Sequence, residues 1–153
     1  MRVILQRVKR AEVRVDGATV GHIGPGLLLL VGLGRGDGED ELRWMARKIA
    51  GLRLFAGEGG GFDRSLVDMG YEVLAVSQFT LYGDCRKGRR PSFDGALGPE
   101  EAKPLMARFL EILAEEKINR VESGRFGAMM EVDLVNDGPV TLTLVREAGG
   151  GSQ

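Results

Sequence analysis

Two short segments carry most of the chemistry open to this chain. Ser77-Gln78-Phe79-Thr80-Leu81 closes one apolar strand-like run, and Asn136-Asp137-Gly138-Pro139-Val140-Thr141 opens another. There is one histidine and one cysteine, and no pair of carboxylates stands at a recognisable catalytic spacing. Chemistry here must therefore use backbone groups, hydroxyls and the substrate itself. Ser77, Gln78 and Thr80 offer two hydroxyls and an amide within four residues. Strand alternation puts Ser77 and Phe79 on one face and Gln78 and Thr80 on the other, unless the strand ends inside the segment. If it ends there, the N–H groups of Phe79 and Thr80 are released from pairing and could donate to a ligand carbonyl. The plainer alternative makes Ser77 and Thr80 strand-end residues that satisfy nearby backbone groups. Gly138-Pro139 is equally open. It is either an ordinary turn or a cis peptide that fixes two neighbouring carbonyls as acceptors for an amine.

Arg86-Lys87-Gly88-Arg89-Arg90 places four cations in five residues directly after the first segment. Such a run is commonly a solvated loop. Beside a pocket it would also suit phosphates, with glycine letting the backbone approach. His22 has no Asp or Cys neighbour that would make it a base. Cys85 adjoins Arg86 and Lys87, which favour a thiolate, but it has no histidine partner. No Cys/His spacing suggests zinc, and the glycine pairs at 24–26 and 32–36 lack the helix and acid of a dinucleotide fingerprint. Neither metal nor cofactor is expected.

The elements that must position these residues follow from periodicity. At 153 residues, 43% apolar and 28% charged, the chain fits one soluble domain that buries roughly two-thirds of its unfolded surface. Its net charge of −1 leaves any nucleic-acid surface local. A lone cysteine suits a reducing compartment. The amino terminus lacks a signal-peptide core, and the longest apolar run, Leu27 to Val31, is too short to span a bilayer. A cytoplasmic protein without membrane contact is expected. Alternation from Val3 to Val15 and the short run Val20 to Ile23 predict two strands joined at Asp16-Gly17. The uninterrupted apolar run that opens Leu27 to Leu33 predicts a third, central strand covered on both sides. Leu42, Met45, Ile49 and Leu52 predict one helix after Asp37-Gly38. Tyr71 to Gln78 reads as a strand. A second helix runs from Pro99 to about Lys117, with Leu105, Phe109, Ile112 and Leu113 as its buried stripe. Glu131 to Val135 and Val140 to Val145 read as a closing pair of strands about an Asn136–Pro139 turn. The fold class is α+β: a sheet folded on itself or on a second sheet, with two main helices on one outer side. Residues 1–147 form the domain and residues 148–153 a glycine-rich, frayed tail.

Taken in order, Gln6-Arg7-Val8, Ser77-Gln78-Phe79-Thr80-Leu81, Arg90-Pro91-Ser92-Phe93, Gly124-Arg125-Phe126-Gly127-Ala128 and Asn136-Asp137-Gly138-Pro139-Val140-Thr141 carry a resemblance from Met1 to about Val145. The chain resembles the D-aminoacyl-tRNA deacylases. That resemblance implies a compact β/β/α fold with a barrel-like sheet, and an enzyme that hydrolyses the ester between a D-amino acid, or mischarged glycine, and the 3′ end of tRNA. It implies a homodimer with active sites at the interface. There a cis Gly138-Pro139 of one subunit enters the other's pocket of Ser77, Gln78, Phe79 and Thr80. Arg7 would orient the Gly-Pro carbonyls and Ala128 would join the substrate site. The basic loop with Arg86, Lys87, Arg89 and Arg90 varies within the family, and its assignment to tRNA contact comes from its charge. Gly61-Phe62-Asp63-Arg64-Ser65 departs from the family, many of whose members carry Met-Asn there.

The implied mechanism fits a chain with no evident base. Two fixed carbonyls accept hydrogen bonds from the substrate ammonium, an L side chain would run into backbone, and a D side chain points away. Hydrolysis is expected to draw on the 2′-OH of the terminal ribose and on a backbone N–H near Phe79 or Thr80. A Thr80 nucleophile is the competing mechanism, without the activating base it would need. The rival functions are a non-catalytic RNA-binding protein and a general esterase using Thr80 or Cys85.

Overall fold

Strand β1 (Arg2–Val15) is the spine of the molecule. It turns at Asp16 and Gly17, whose φ angles of 49° and 77° are those of a tight hairpin. Then follow β2 (Ala18–Ile23), β3 (Gly26–Gly32), α1 (Glu39–Gly51), β4 (Arg53–Phe55), β5 (Arg64–Ser65), α2 (Leu66–Met69) and β6 (Glu72–Ser77). A 3₁₀ turn at Phe79–Tyr82, α3 (Pro99–Glu115), β7 (Arg120–Ser123) and β8 (Glu131–Val145) complete the order. The computed structural model describes residues 1–149. Residues 150–153 of the expected tail lie outside the described residues.

One edge of β1 pairs antiparallel with β8 along nearly its whole length. The other edge pairs with β3 over Arg2–Val8 and with β2 over Ala11–Val15. From β3 the sheet continues through two parallel neighbours, β6 and β7. It then curls until β2 meets β7: a methyl group added at Gly21 would collide with the Ser123 carbonyl. The result is a nearly closed, barrel-like sheet.

Period-two alternation divides the apolar residues between two clusters. Leu27, Leu29 and Val31 face α1 and α3, in a core that includes Leu42, Met45, Ile49, Phe109 and Ile112. Leu28 instead packs inside the curled sheet with Val8, Val13, Ile23, Leu74 and Val76. The second cluster contains no helical residue, so the helices cover one side of the sheet only. Glu39, Asp40 and Glu41 occupy the first turn of α1, where carboxylates complement the helix dipole, and the Gly38 N–H donates to Glu41 Oε2 at 3.0 Å.

Besides the short strands β4, β5 and β7, which the sequence did not predict, three features differ from the sequence expectation. The buried stripe of α3 is Ala102, Met106, Phe109, Ile112 and Leu113; Leu105 is only half-buried because Met106, one position on, faces the core. A one-turn helix, α2, adds to the two main helices. It is capped reciprocally by Ser65 and Asp68 and ended by left-handed Gly70. Finally, the carboxyl-terminal segment is a single strand rather than two about a turn. Gln6 pairs with Thr141 and Val8 with Asn136, so β8 continues along β1 and residues 137–140 bulge out opposite Arg7.

Candidate active site

The first functional segment is built by ending a strand early. β6 stops at Ser77, and the Gln78 N–H still donates to the Val31 carbonyl at 2.7 Å. The chain then winds into the 3₁₀ turn, closed by Leu81 N–H to Gln78 O at 3.2 Å and Gly83 N–H to Thr80 O at 2.9 Å. Gly32 leaves room for this reversal: a Cβ there would lie 3.0 Å from Leu81 Cβ. As the first residues of the turn, Phe79 and Thr80 have no intrahelical acceptor for their N–H groups. Among the described residues no other acceptor takes them. The Gln78 side-chain amide donates to Thr80 Oγ1, which holds both side chains together. Phe79 is exposed and its ring meets Phe93 edge-on, with centroids 5.1 Å apart. Beside Ser77 lies a mainly apolar cavity of about 170 Å³. Ala75, Met106, Leu110 and Phe126 line it, with Lys103 contributing the one charged side chain. The loop after β7 reaches this cavity because the Gly124 N–H donates to the Ala75 carbonyl at 3.1 Å. Ala128 follows in the same loop, its N–H on the Arg125 carbonyl at 3.2 Å.

The second segment is the bulge in β8. The Gly138–Pro139 peptide is cis, and Gly138 has φ 143°. Arg7 holds one flank: its Nε donates to the Asp137 carbonyl at 2.8 Å, and its Nη1 donates to the Leu54 carbonyl. The exposed Phe62 ring lies 5.9 Å from the same guanidinium. A cavity of about 420 Å³ opens alongside, lined by Arg7, Lys9, Phe55, Tyr71 and Asp137 among others.

One chain does not unite the two segments. Arg7 sits opposite Leu27 and Ser77 opposite Val31, four residues apart on β3, or roughly 13 Å of strand. Ser77, Gln78, Phe79, Thr80 and the Phe126 loop gather at one end; Arg7, Gly138 and Pro139 gather at the other.

The basic loop is tied at its base. Asp84 and Ser92 exchange backbone hydrogen bonds of 2.7 and 2.9 Å. Arg86 folds back on Asp84, Nη2 to Oδ2 at 2.6 Å, and these bonds hold the Asp84 carboxyl down to about 2. Lys87, Arg89 and Arg90 are exposed and form no salt bridge among the described residues. Next to the loop, Arg2, Tyr82, Asp84, Arg86 and Ser92 border an open cleft of about 710 Å³. His22 is exposed on an edge strand and Cys85 is exposed with a free thiol. Among the described residues no group of three or more His, Cys, Asp or Glu side chains is placed to hold a metal ion. No helix there is long and apolar enough to cross a membrane.

Sequence reasoning left several neighbours of these groups without a role. Phe93 and Phe126 stood in recognised motifs but nothing local showed which surface they join. Asn136 read as a turn residue; its contacts become visible only once β8 is known to run straight through.

The chain is similar to known proteins along nearly its whole length. The family model described as D-Tyr-tRNA(Tyr) deacylase matches residues 4–145. A D-aminoacyl-tRNA deacylase of Cyanothece sp. is 58% identical over 97% of this chain and 94% of its own length. One from Geobacillus sp. is 51% identical over the full length of both. Among solved structures, one described as a c-Myc DNA unwinding element binding protein superposes with TM-score 0.89 at 41% identity, covering 97% of this chain and 100% of that one. Another, of a probable eukaryotic D-amino acid tRNA deacylase, shares the fold at TM-score 0.79 and 19% identity, covering 93% and 97%. With a family model spanning residues 4–145 and relatives more than half identical along nearly the whole chain, this protein belongs to the D-Tyr-tRNA(Tyr) deacylase family.

Proposed function

We propose that this chain hydrolyses the ester linking a D-amino acid, or mischarged glycine, to the 3′-terminal adenosine of tRNA, and that it selects substrates by handedness. Membership of the family supplies the reaction class, a hydrolase acting on the aminoacyl-tRNA ester. The observation that carries the selection mechanism is the division of the chemistry into two main-chain sets. Free N–H groups stand at Phe79 and Thr80, and a pinned Gly138–Pro139 bulge stands at the far end of β3. Neither set makes a complete site alone.

In this reading the enzyme is a homodimer, and the Gly138–Pro139 bulge of one protomer enters the pocket of its partner beside Ser77. Support comes from exposed apolar side chains on and before β8: Val132, Val135, Leu142 and Met129, the last 92% exposed. The Gly138 and Pro139 carbonyls accept hydrogen bonds from the substrate ammonium. With the ammonium and the ester both fixed, an L side chain is driven into backbone, a D side chain is directed outwards, and glycine passes. Selection is therefore indifferent to which D-amino acid is attached. The N–H of Phe79 or Thr80 stabilises the oxyanion, and the substrate's 2′-OH assists water or the leaving 3′-oxygen. Gln78 orients Thr80 through its hydrogen bond, while Gly124 and Phe126 border the receiving cavity and Ala128, two residues on in the same loop, joins the substrate site. Lys87, Arg89 and Arg90, with Arg86 partly neutralised by Asp84, contact tRNA phosphates. Such work belongs in the cytoplasm.

The test is deacylation of paired D- and L-tyrosyl-tRNA. Release of D-tyrosine with L-tyrosyl-tRNA left intact is expected, and equal cleavage of the two would end the reading.

A further inference from the structure

The bulge poses a hydrogen-bonding problem that β1 cannot solve. Because pairing jumps from Gln6–Thr141 to Val8–Asn136, the backbone of Val140 has no strand partner on β1. The Asn136 side chain supplies one. Its Oδ1 accepts from the Val140 N–H at 2.8 Å and its Nδ2 donates to the Val140 carbonyl at 3.3 Å. A planar amide bonding both groups of one residue reproduces what an adjacent strand's peptides would offer. The same Nδ2 donates to Thr141 Oγ1 at 3.0 Å, and Gln6 Nε2 donates to that oxygen at 3.2 Å. Asn136 and Thr141 thus close the neck of the bulge, while Arg7 holds the Asp137 carbonyl on its flank.

We infer that Asn136 is a positioning residue for chiral selection: its amide, braced by Thr141 and Gln6, locks the Gly138–Pro139 bulge in the one shape that discriminates between mirror-image substrates. This rests on the clamp reading given above. Asn136 touches no substrate; it acts through the backbone at Val140. Its loss should relax selectivity more than it harms the fold, because the β1–β8 ladder continues on both sides of the neck.

The experiment compares kcat/KM for D- and L-tyrosyl-tRNA in Asn136→Ala, Asn136→Asp, Thr141→Val and Gly138→Ala, each checked for cooperative unfolding. Two or more neutral hydrogen bonds vanish in Asn136→Ala, so its D-to-L ratio should fall roughly ten- to hundredfold. Thr141→Val should show a smaller fall in the same direction. Asn136→Asp should be defective at neutral pH, where a carboxylate has no donor, and should regain selectivity relative to wild type towards about pH 4.5, as protonation restores one donor beside one acceptor. A purely structural asparagine would give no such pH-dependent recovery of the ratio. If Gly138→Ala shifts the ratio while folded Asn136→Ala does not, the inference is overturned and the clamp stands. If neither shifts it, the clamp itself fails. Should Asn136→Ala not fold, an unchanged ratio in Thr141→Val together with a pH-independent Asn136→Asp overturns the inference equally.

Discussion

Replacing Gly138 with alanine loads the bulge at its tightest point. A Cβ there would stand 2.9 Å from Val140 Cγ2, 3.0 Å from Arg7 Nη2 and 3.1 Å from the Val140 nitrogen, on a residue whose φ of 143° suits glycine. Holding alanine in that conformation costs about 1–3 kcal/mol, and the crowding adds about 1–3 kcal/mol more. Arg7 yields poorly, since its guanidinium is also bonded to the Leu54 carbonyl. The cheaper relief is to open the bulge. That surrenders the Arg7–Asp137 and Asn136–Val140 contacts at about 1 kcal/mol each. Stability should therefore drop by about 2–3 kcal/mol, seen as a lower urea midpoint with an unchanged slope. A displacement of about 1 Å at the ammonium site should lower D-tyrosyl-tRNA deacylation about a hundredfold. The assay is single-turnover release of D-tyrosine from the folded fraction, measured beside the denaturation curve. Wild-type deacylation by a destabilised variant, or a rate loss that merely follows the unfolded fraction, would refute the reasoning.

The remaining predictions concern other parts of the molecule. Thr80→Ala should keep D-tyrosyl-tRNA hydrolysis within about tenfold of wild type, whereas a 2′-deoxy terminal adenosine should cost on the order of a hundredfold or more; the reverse pattern would make Thr80 the nucleophile. The double charge reversal Arg89→Glu with Arg90→Glu should weaken tRNA binding and reduce the log–log salt slope by about 2 units, with little change in hydrolysis of a short aminoacyl-adenosine. Asp84→Asn should do the opposite by freeing Arg86. Because that pair holds the Asp84 carboxyl down to about 2, below its ordinary 3.8, its contribution to the loop is full above the ordinary value and fades only as pH falls towards 2. The tRNA affinity of Asp84→Asn relative to wild type should thus be the same at about pH 6 and about pH 8 in binding titrations. Phe109, fully buried against the sheet, should cost about 3–5 kcal/mol on truncation to alanine in equilibrium denaturation, with the folded fraction retaining its D-to-L ratio.

Wherever a periodicity was local, the sequence was a good guide. Alternation through β1, the unbroken apolar run of β3, the Asp16-Gly17 turn and the apolar face of α1 each depend on residues a few positions apart. The end of β6 at Ser77 was legible as one of two options, since hydroxyl residues signal a strand end without fixing it. β8 was misread for a physical reason. Asn136-Asp137-Gly138-Pro139 has turn composition, and only pairing with β1, more than a hundred residues away in sequence, shows that the chain goes straight on. The same long range hid the task of Asn136. β4, β5 and β7 are two to four residues long and too brief to carry a period. On α3, Leu105 and Met106 are equally apolar neighbours, and the choice between them is made by helix rotation against the sheet.

β3 lends its odd-numbered side chains to one apolar cluster and Leu28 to the other, so neither half of the molecule can melt while its companion stays intact. The chain should thus open as a single cooperative unit, with the amides of β3 among the slowest to exchange with solvent. That strand also acts as a stiff ruler between the Ser77 turn at one end and the Arg7 buttress at the other. Thermal motion in the exposed loops has little leverage over the spacing it sets.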